Sequence, residues 1–149
     1  MNSPARRRFT ARQAEFEAIR TFIDATCAGI GDDERQRAVL LVEELFANSV
    51  CHGYGGDSDQ PVWLTVGIGE DGCRLVYEDC APPYDPFVAS DYKLDEVDLE
   101  ERRVGGLGIV FLIELSSARK YKRRGERNVI ELQVRRRVLL DNVSAERDG

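Results

Sequence analysis

Residues 40–54 read LLVEELFANSVCHGY, and this stretch decides the architecture. At 3.6 residues per turn, Leu41, Val42, Leu45 and Ser49, with Ala38 one turn earlier, fall on one small or apolar face of a helix. Glu44, Asn48 and His52 stand at i, i+4 and i+8, a row along the margin of that face with about 6 Å between successive members. Glu43 projects about 100° away and cannot join them. A helix with a single apolar face must bury it against another layer.

Working outward, the helix begins at Asp32-Asp33-Glu34, whose carboxylates suit a helix N-terminus, and runs to about Cys51, where Gly53, Gly55 and Gly56 stop it. Upstream, Phe16, Ile19, Ile23 and Cys27 recur at three- and four-residue steps and predict another helix from about Ala11 to Cys27, broken by Gly29 and Gly31. Downstream, Val62, Leu64, Val66 and Ile68 alternate, Cys73 to Tyr77 has the same β character, and Gly69-Glu70-Asp71-Gly72 joins the two as an antiparallel hairpin. Two further strands are predicted at about Ser117 to Lys122 and Asn128 to Arg135, around Arg124-Gly125-Glu126. A short helix is expected over Ile109 to Leu115. The fold class is α+β: a two-layer sandwich whose mostly antiparallel, mixed sheet is covered on one face by helices.

The 149 residues are enough for one core that buries roughly 70% of the unfolded surface. With 42% hydrophobic and 32% charged residues, 13 Gly and 5 Pro, the chain is neither disordered nor collagen-like. Lys and Arg total 21 against 27 Asp and Glu, a net charge of −6, which disfavours a general attraction to nucleic acid or anionic lipid. Any phosphate must be held locally. No apolar run nears the roughly 20 residues of a membrane span, and no apolar stretch follows the N-terminal arginines, so a cytoplasmic protein is expected. Cys27, Cys51, Cys73 and Cys80 form no C-x-x-C pair and no local zinc set with His52. They read as reduced, mostly buried thiols.

Three places carry chemistry. An Asn48 amide oxygen is a neutral, hard ligand suited to Mg²⁺, and a carboxylate one turn earlier, Glu44, can accept a proton from a water or hydroxyl. The same row also reads as a solvated carboxylate, a boundary amide and a histidine favoured by the helix dipole. Gly105-Gly106-Leu107-Gly108, ahead of Ile109, lies where a loop gives way to a helix, so backbone N–H groups can approach an anion; a purely structural glycine turn is the other reading. Asp79, where the chain leaves a strand, can accept a hydrogen bond from an exocyclic amine, favouring adenine over a carbonyl-bearing base, or can be an ordinary turn residue. Phe87 to Val104 is an acidic stretch without clear period, long enough to be a lid.

Taken together, LLVEELFANSVCHGY, EDCAPPYDPF (residues 78–87) and GGLGIVFLIELSSARKYKRRGERN (residues 105–128) resemble the nucleotide-binding boxes of the GHKL ATPases, and most nearly those of the small anti-sigma-factor serine kinases of bacterial partner-switching systems. The likeness extends from roughly Phe9 to Arg136. It implies the Bergerat α/β sandwich, here as a single domain over residues 9–138; the termini at 1–8 and 139–149 are expected to be flexible, the tail from Asp141 being polar. It implies ATP and Mg²⁺, with Glu44 as catalytic base and Asn48 as the metal ligand. The implied nucleotide-binding set is Asn48, His52, Asp79, Ala81, Gly105, Gly106, Leu107, Gly108 and Ile109, with Phe87 to Val104 as the ATP lid. It also implies a homodimer that binds a sigma factor and phosphorylates a serine on a STAS-type antagonist, with neither nucleic acid nor membrane as a direct partner. The same domain acting as a nucleotide-dependent module that sequesters a regulator, without phosphotransfer, is the alternative. Autophosphorylation on histidine is disfavoured, because the sole His lies within the nucleotide box. Ala81 stands where the family usually carries glycine, so its methyl either crowds the base or fits beside it.

Overall fold

Alternation along Val62, Leu64 and Val66 puts one face of a strand wholly out of water, and the neighbouring strand answers with Cys73, Leu75 and Tyr77, each at most 4% exposed. The computed structural model describes residues 3–87 and 115–137. Their order is β1 (Ala5–Thr10), a 3₁₀ turn (Gln13–Glu15), α1 (Phe16–Thr26), α2 (Asp32–Asn48), a π-helical turn (Ser49–Gly53), β2 (Pro61–Gly69), β3 (Gly72–Asp79), β4 (Ala118–Arg124) and β5 (Arg127–Arg135). The strands form one five-stranded sheet in the order β1-β2-β3-β5-β4, and all pairings among them are antiparallel. Both helices pack on one face. The expected α+β two-layer sandwich is therefore the observed fold.

The β2–β3 turn explains one glycine. Gly72 has φ +143°, and a Cβ there would collide with the Val134 carbonyl oxygen of β5, so the backbone of the third strand closes the position to any side chain. The β4–β5 turn uses Gly125 at φ +60°.

Within the segment 1–8 expected to be flexible, residues 5–8 are part of a strand. Ala5–Thr10 pairs along β2, from Ala5 opposite Val66 to Thr10 opposite Pro61. Phe9 anchors the strand, 1% exposed and edge-on to Phe22 of α1 with ring centroids 5.8 Å apart. The first helix correspondingly begins later than predicted. Ala11 lies in a bend, and its backbone bonds with Gln60 and Ser58 continue the pairing with the chain entering β2. The expected tail at 139–149 and the predicted helix at 109–115, save Leu115, lie outside the described residues.

The predicted face of α2 is the buried one: Ala38, Leu41, Val42, Leu45 and Ser49 are all at most 3% exposed. Its first turn carries Asp32, Asp33 and Glu34 after an extended Gly31, as anticipated. Arg37, 4% exposed, pins the helix to the sheet by donating to the Arg135 carbonyl at 2.6 Å while bonding Asp33 at 2.9 Å. The α-helix stops at Asn48, earlier than the expected Cys51, and widens into a π turn in which Tyr54 N–H reaches the Ser49 carbonyl at 2.8 Å. Tyr54 then ties this turn to the sheet. Its hydroxyl donates to the Pro61 carbonyl at 2.8 Å and accepts from the Cys80 N–H at 2.6 Å, bridging both strands at the open end of the β2–β3 hairpin. Burial pushes the Tyr54 phenol up to about 12, so it keeps the proton it donates.

Of the four cysteines, Cys27 and Cys73 are buried, Cys51 is exposed and Cys80 is half-buried. The expectation of mostly buried thiols holds only for the first pair. Contact with Cys27 and burial push the Cys73 thiol well up, so it stays protonated. Among the described residues no helix is long and apolar enough to cross a membrane.

Candidate functional site

Strand register creates the site. Pairing of β3 with β5 sets Asp79, the last residue of β3, directly opposite Asn128, and β2 sets Val62 against Asp79 from the other side. The C-terminal end of α2 and its π turn lie over this point, and the Ala81 to Pro86 turn folds beside it. Between them is a cavity of about 440 Å³, within the range of small-molecule pockets. It is lined by Asn48, Ser49 and His52 from the helix side, Tyr77, Asp79, Asn128 and Ile130 from the sheet, and Ala81 to Tyr84 with Pro86 from the turn.

Asp79 forms the floor, 7% exposed. Its Oδ2 accepts from Ser49 Oγ at 2.6 Å, and its Oδ1 from Asn128 Nδ2 at 2.9 Å and the Ala81 N–H at 3.2 Å. A carboxylate only accepts, so Ser49 must donate to it; the 2.6 Å contact between Ser49 Oγ and Tyr77 Oη then runs from the tyrosine to the serine. The result is a directed chain, Tyr77 to Ser49 to Asp79, inside the core. Burial raises the Tyr77 phenol well above its ordinary value and keeps that proton in place.

Asn48 and His52 both reach the cavity, although the π turn interrupts the regular helix between them. The half-buried Asn48 side chain lines the cavity and makes no hydrogen bond among the described residues. That fits a Mg²⁺ ion, which takes few protein ligands and completes its shell with phosphate oxygens and water. No group of three or more His, Cys, Asp or Glu side chains is placed to hold a metal among the described residues.

Glu44 stands one turn back from Asn48, half-buried at the mouth rather than in the lining. Burial, then the neighbouring Glu43, raises its carboxyl above the usual range, while His52 pulls the other way. A raised carboxylate is a better proton acceptor near neutral pH. Tyr84, across the mouth, is also raised, by burial first and then by the charges of Asp85 and Glu44.

Ala81 packs against the π turn while still lining the cavity. It is 4% exposed, and its methyl lies where a Cβ on Gly53 would come within 2.7 Å. The methyl is thus accommodated against a glycine of the π turn. Its carbonyl accepts from Arg123 Nη1 at 2.8 Å and Asn128 Nδ2 at 3.2 Å, which fixes the turn after Asp79 to strands β4 and β5.

The structure therefore brings together Asn48, His52, Asp79 and Ala81, with Glu44 at the edge. Gly105, Gly106, Leu107, Gly108 and Ile109, and the lid expected at 87–104 beyond Phe87, lie outside the described residues. Asn128 was not anticipated. It is 4% exposed and anchors the whole turn, yet period-two counting back from Val134, Leu132 and Ile130 puts it on the core face, a signal present in the sequence.

Comparison with known families matches residues 9–134 to the histidine kinase-like ATPase domain. No curated protein matches the chain.

Proposed function

The chain belongs to the histidine kinase-like ATPase domain family, within the GHKL superfamily, and from that premise we propose that it is a protein serine kinase of the anti-sigma-factor type. In this reading it binds ATP with Mg²⁺, phosphorylates a serine on a STAS-type antagonist, exchanges partners between that antagonist and a sigma factor, and works as a cytoplasmic homodimer. ATP binding is the family's common property. The observation that supports kinase chemistry is the placing of Glu44: a half-buried carboxylate with a raised pKa, one helical turn from the cavity-lining Asn48.

The residues divide the work. Asp79 at the cavity floor reads the base, with Ser49 and Asn128 holding its carboxylate rigid. Asn48 Oδ1 would hold Mg²⁺, whose positive charge, when bound, screens the phosphate oxygens. Glu44 takes the serine proton as the serine oxygen bonds to the γ-phosphorus and the β–γ bridging bond breaks, releasing ADP. Most of the rate enhancement comes from positioning and electrostatics.

The test is transfer of γ-labelled phosphate from ATP to a purified STAS-type antagonist. Label on an antagonist serine, lost about 10²- to 10⁴-fold in Glu44→Gln with ATP binding retained, is expected. Binding of ATP without label on the antagonist would leave a sequestering module in place of a kinase. Wild-type transfer by Glu44→Gln would remove the base assignment.

A further inference from the structure

A carboxylate offers about four acceptor positions, two on each oxygen. In Asp79 the protein fills three of them. Oδ1 takes Asn128 Nδ2 at 2.9 Å and the Ala81 N–H at 3.2 Å and is saturated; Oδ2 takes Ser49 Oγ at 2.6 Å and keeps one position. The Asn128 amide cannot be turned around to change this count. Its Nδ2 faces three oxygens, of Asp79, Ala81 and Pro82, within 3.2 Å. Its Oδ1 faces three donors, the Tyr84 N–H at 3.2 Å, Tyr121 Oη at 2.6 Å and Arg123 Nη1 at 3.3 Å. A reversed amide would set donors against donors and acceptors against acceptors.

We infer that Asn128 makes this pocket select purines presenting a single N–H donor to the aspartate, by keeping one of its two oxygens filled. The inference rests on the nucleotide reading above and adds a selectivity residue to it. Adenine offers its 6-amino group beside the acceptor N1, and one open position on Oδ2 satisfies it. Guanine offers two adjacent donors, N1–H and the 2-amino group, a pair that an unencumbered carboxylate would take on both oxygens. Here the second donor enters a buried site without an acceptor. Hypoxanthine shares guanine's 6-carbonyl and N1–H and lacks only the 2-amino group, so comparing these two bases isolates the second donor. Asn128 and Asp79 line the same cavity, so truncating Asn128 reopens Oδ1 toward the ligand.

The experiment is calorimetric titration of the full chain with ATP, ITP and GTP, each with Mg²⁺, for wild type and Asn128→Ala. Wild type is expected to bind ATP, and to bind ITP about tenfold or more tightly than GTP, the size of effect that one unpaired buried donor produces. In Asn128→Ala the ITP-to-GTP ratio should fall toward one, whatever happens to absolute affinity. A purely structural role for Asn128 would weaken all three ligands together and leave the ratio intact, which would overturn the inference. Equal binding of ITP and GTP to wild type would also overturn it, and that arm decides the matter if the variant does not fold. Absence of ATP binding to wild type would instead remove the nucleotide reading itself, and the inference with it.

Discussion

Substituting Ser49 by alanine interrupts the buried hydroxyl chain at its middle. Ser49 is 3% exposed, donates to Asp79 Oδ2 at 2.6 Å and accepts from Tyr77 Oη at 2.6 Å. Losing a hydrogen bond to a charged acceptor costs about 1.5–3 kcal/mol, and leaving the Tyr77 hydroxyl unpaired costs about 1–3 kcal/mol more. Ser49 borders the cavity, so water replaces part of the loss at Asp79, and the expected total is about 3 kcal/mol. For a chain of this size that lowers Tm by roughly 6–12 °C. Tyr77→Phe alone should cost only about 1 kcal/mol, since Ser49 still donates to Asp79. In the Ser49→Ala background the same change should be neutral or stabilising, because it removes the orphaned hydroxyl. Urea denaturation of the two single variants and the double variant measures the coupling, expected at about 1–3 kcal/mol. Additive effects, within about 0.5 kcal/mol, would show that the tyrosine does not donate to the serine, and the directed chain would be refuted.

Further outcomes follow from the same geometry. Glu44 ionises at a cost in the native state because its folded pKa lies above its unfolded one. Its stabilising contribution is therefore full below the ordinary carboxylate pKa of about 4.3 and is lost as pH rises through the folded value. Glu44→Gln should accordingly raise Tm at neutral pH, with the gain vanishing in acid; an equal gain at both pH values would contradict the burial assignment. Gly53→Ala should lose about 1–3 kcal/mol to overpacking against the Ala81 methyl, with most of it recovered in Gly53→Ala/Ala81→Gly, as read by urea melts. In native protein, iodoacetamide mapped by mass spectrometry should label Cys51 fastest, Cys80 more slowly, and Cys27 and Cys73 only on unfolding. Early labelling of Cys73 would contradict its burial.

What the sequence disclosed, and what it hid, follows from where each residue's partners lie. Hairpin β2–β3 and the buried face of α2 were legible because their signals are local periodicities, and the wholly buried Val62, Leu64 and Val66 have no other arrangement open to them. Strand β1 was hidden. It is an edge strand whose Arg6, Arg7 and Arg8 face water, so Phe9 is the only fully apolar signal it carries, and nothing in ARRRFT distinguishes a paired edge from a basic arm. The end of α2 was misplaced by a few residues because the π turn keeps helical dihedrals while changing the hydrogen-bond step. At the site, Asn48 and Asp79 were visible as residue types suited to their chemistry. For Asn128 the sequence carries only its place on the core face of β5; its role is not legible, because its partners Asp79, Ala81 and Pro82 are more than 40 residues distant and are brought to it by β3–β5 register. The burial of Glu44, which a sequence cannot express, is the feature that turns an ordinary helix carboxylate into a candidate base.

The claim on which the rest depends is that the cavity floored by Asp79 holds the base of an adenine nucleotide. Titrating ATP and Mg²⁺ calorimetrically into wild type and Asp79→Asn tests it most directly. Saturable binding to wild type, weakened tenfold or more in the variant, is the predicted result, since the variant loses a hydrogen bond to a charged acceptor. Equal affinity in the two proteins would place the base elsewhere and contradict the account.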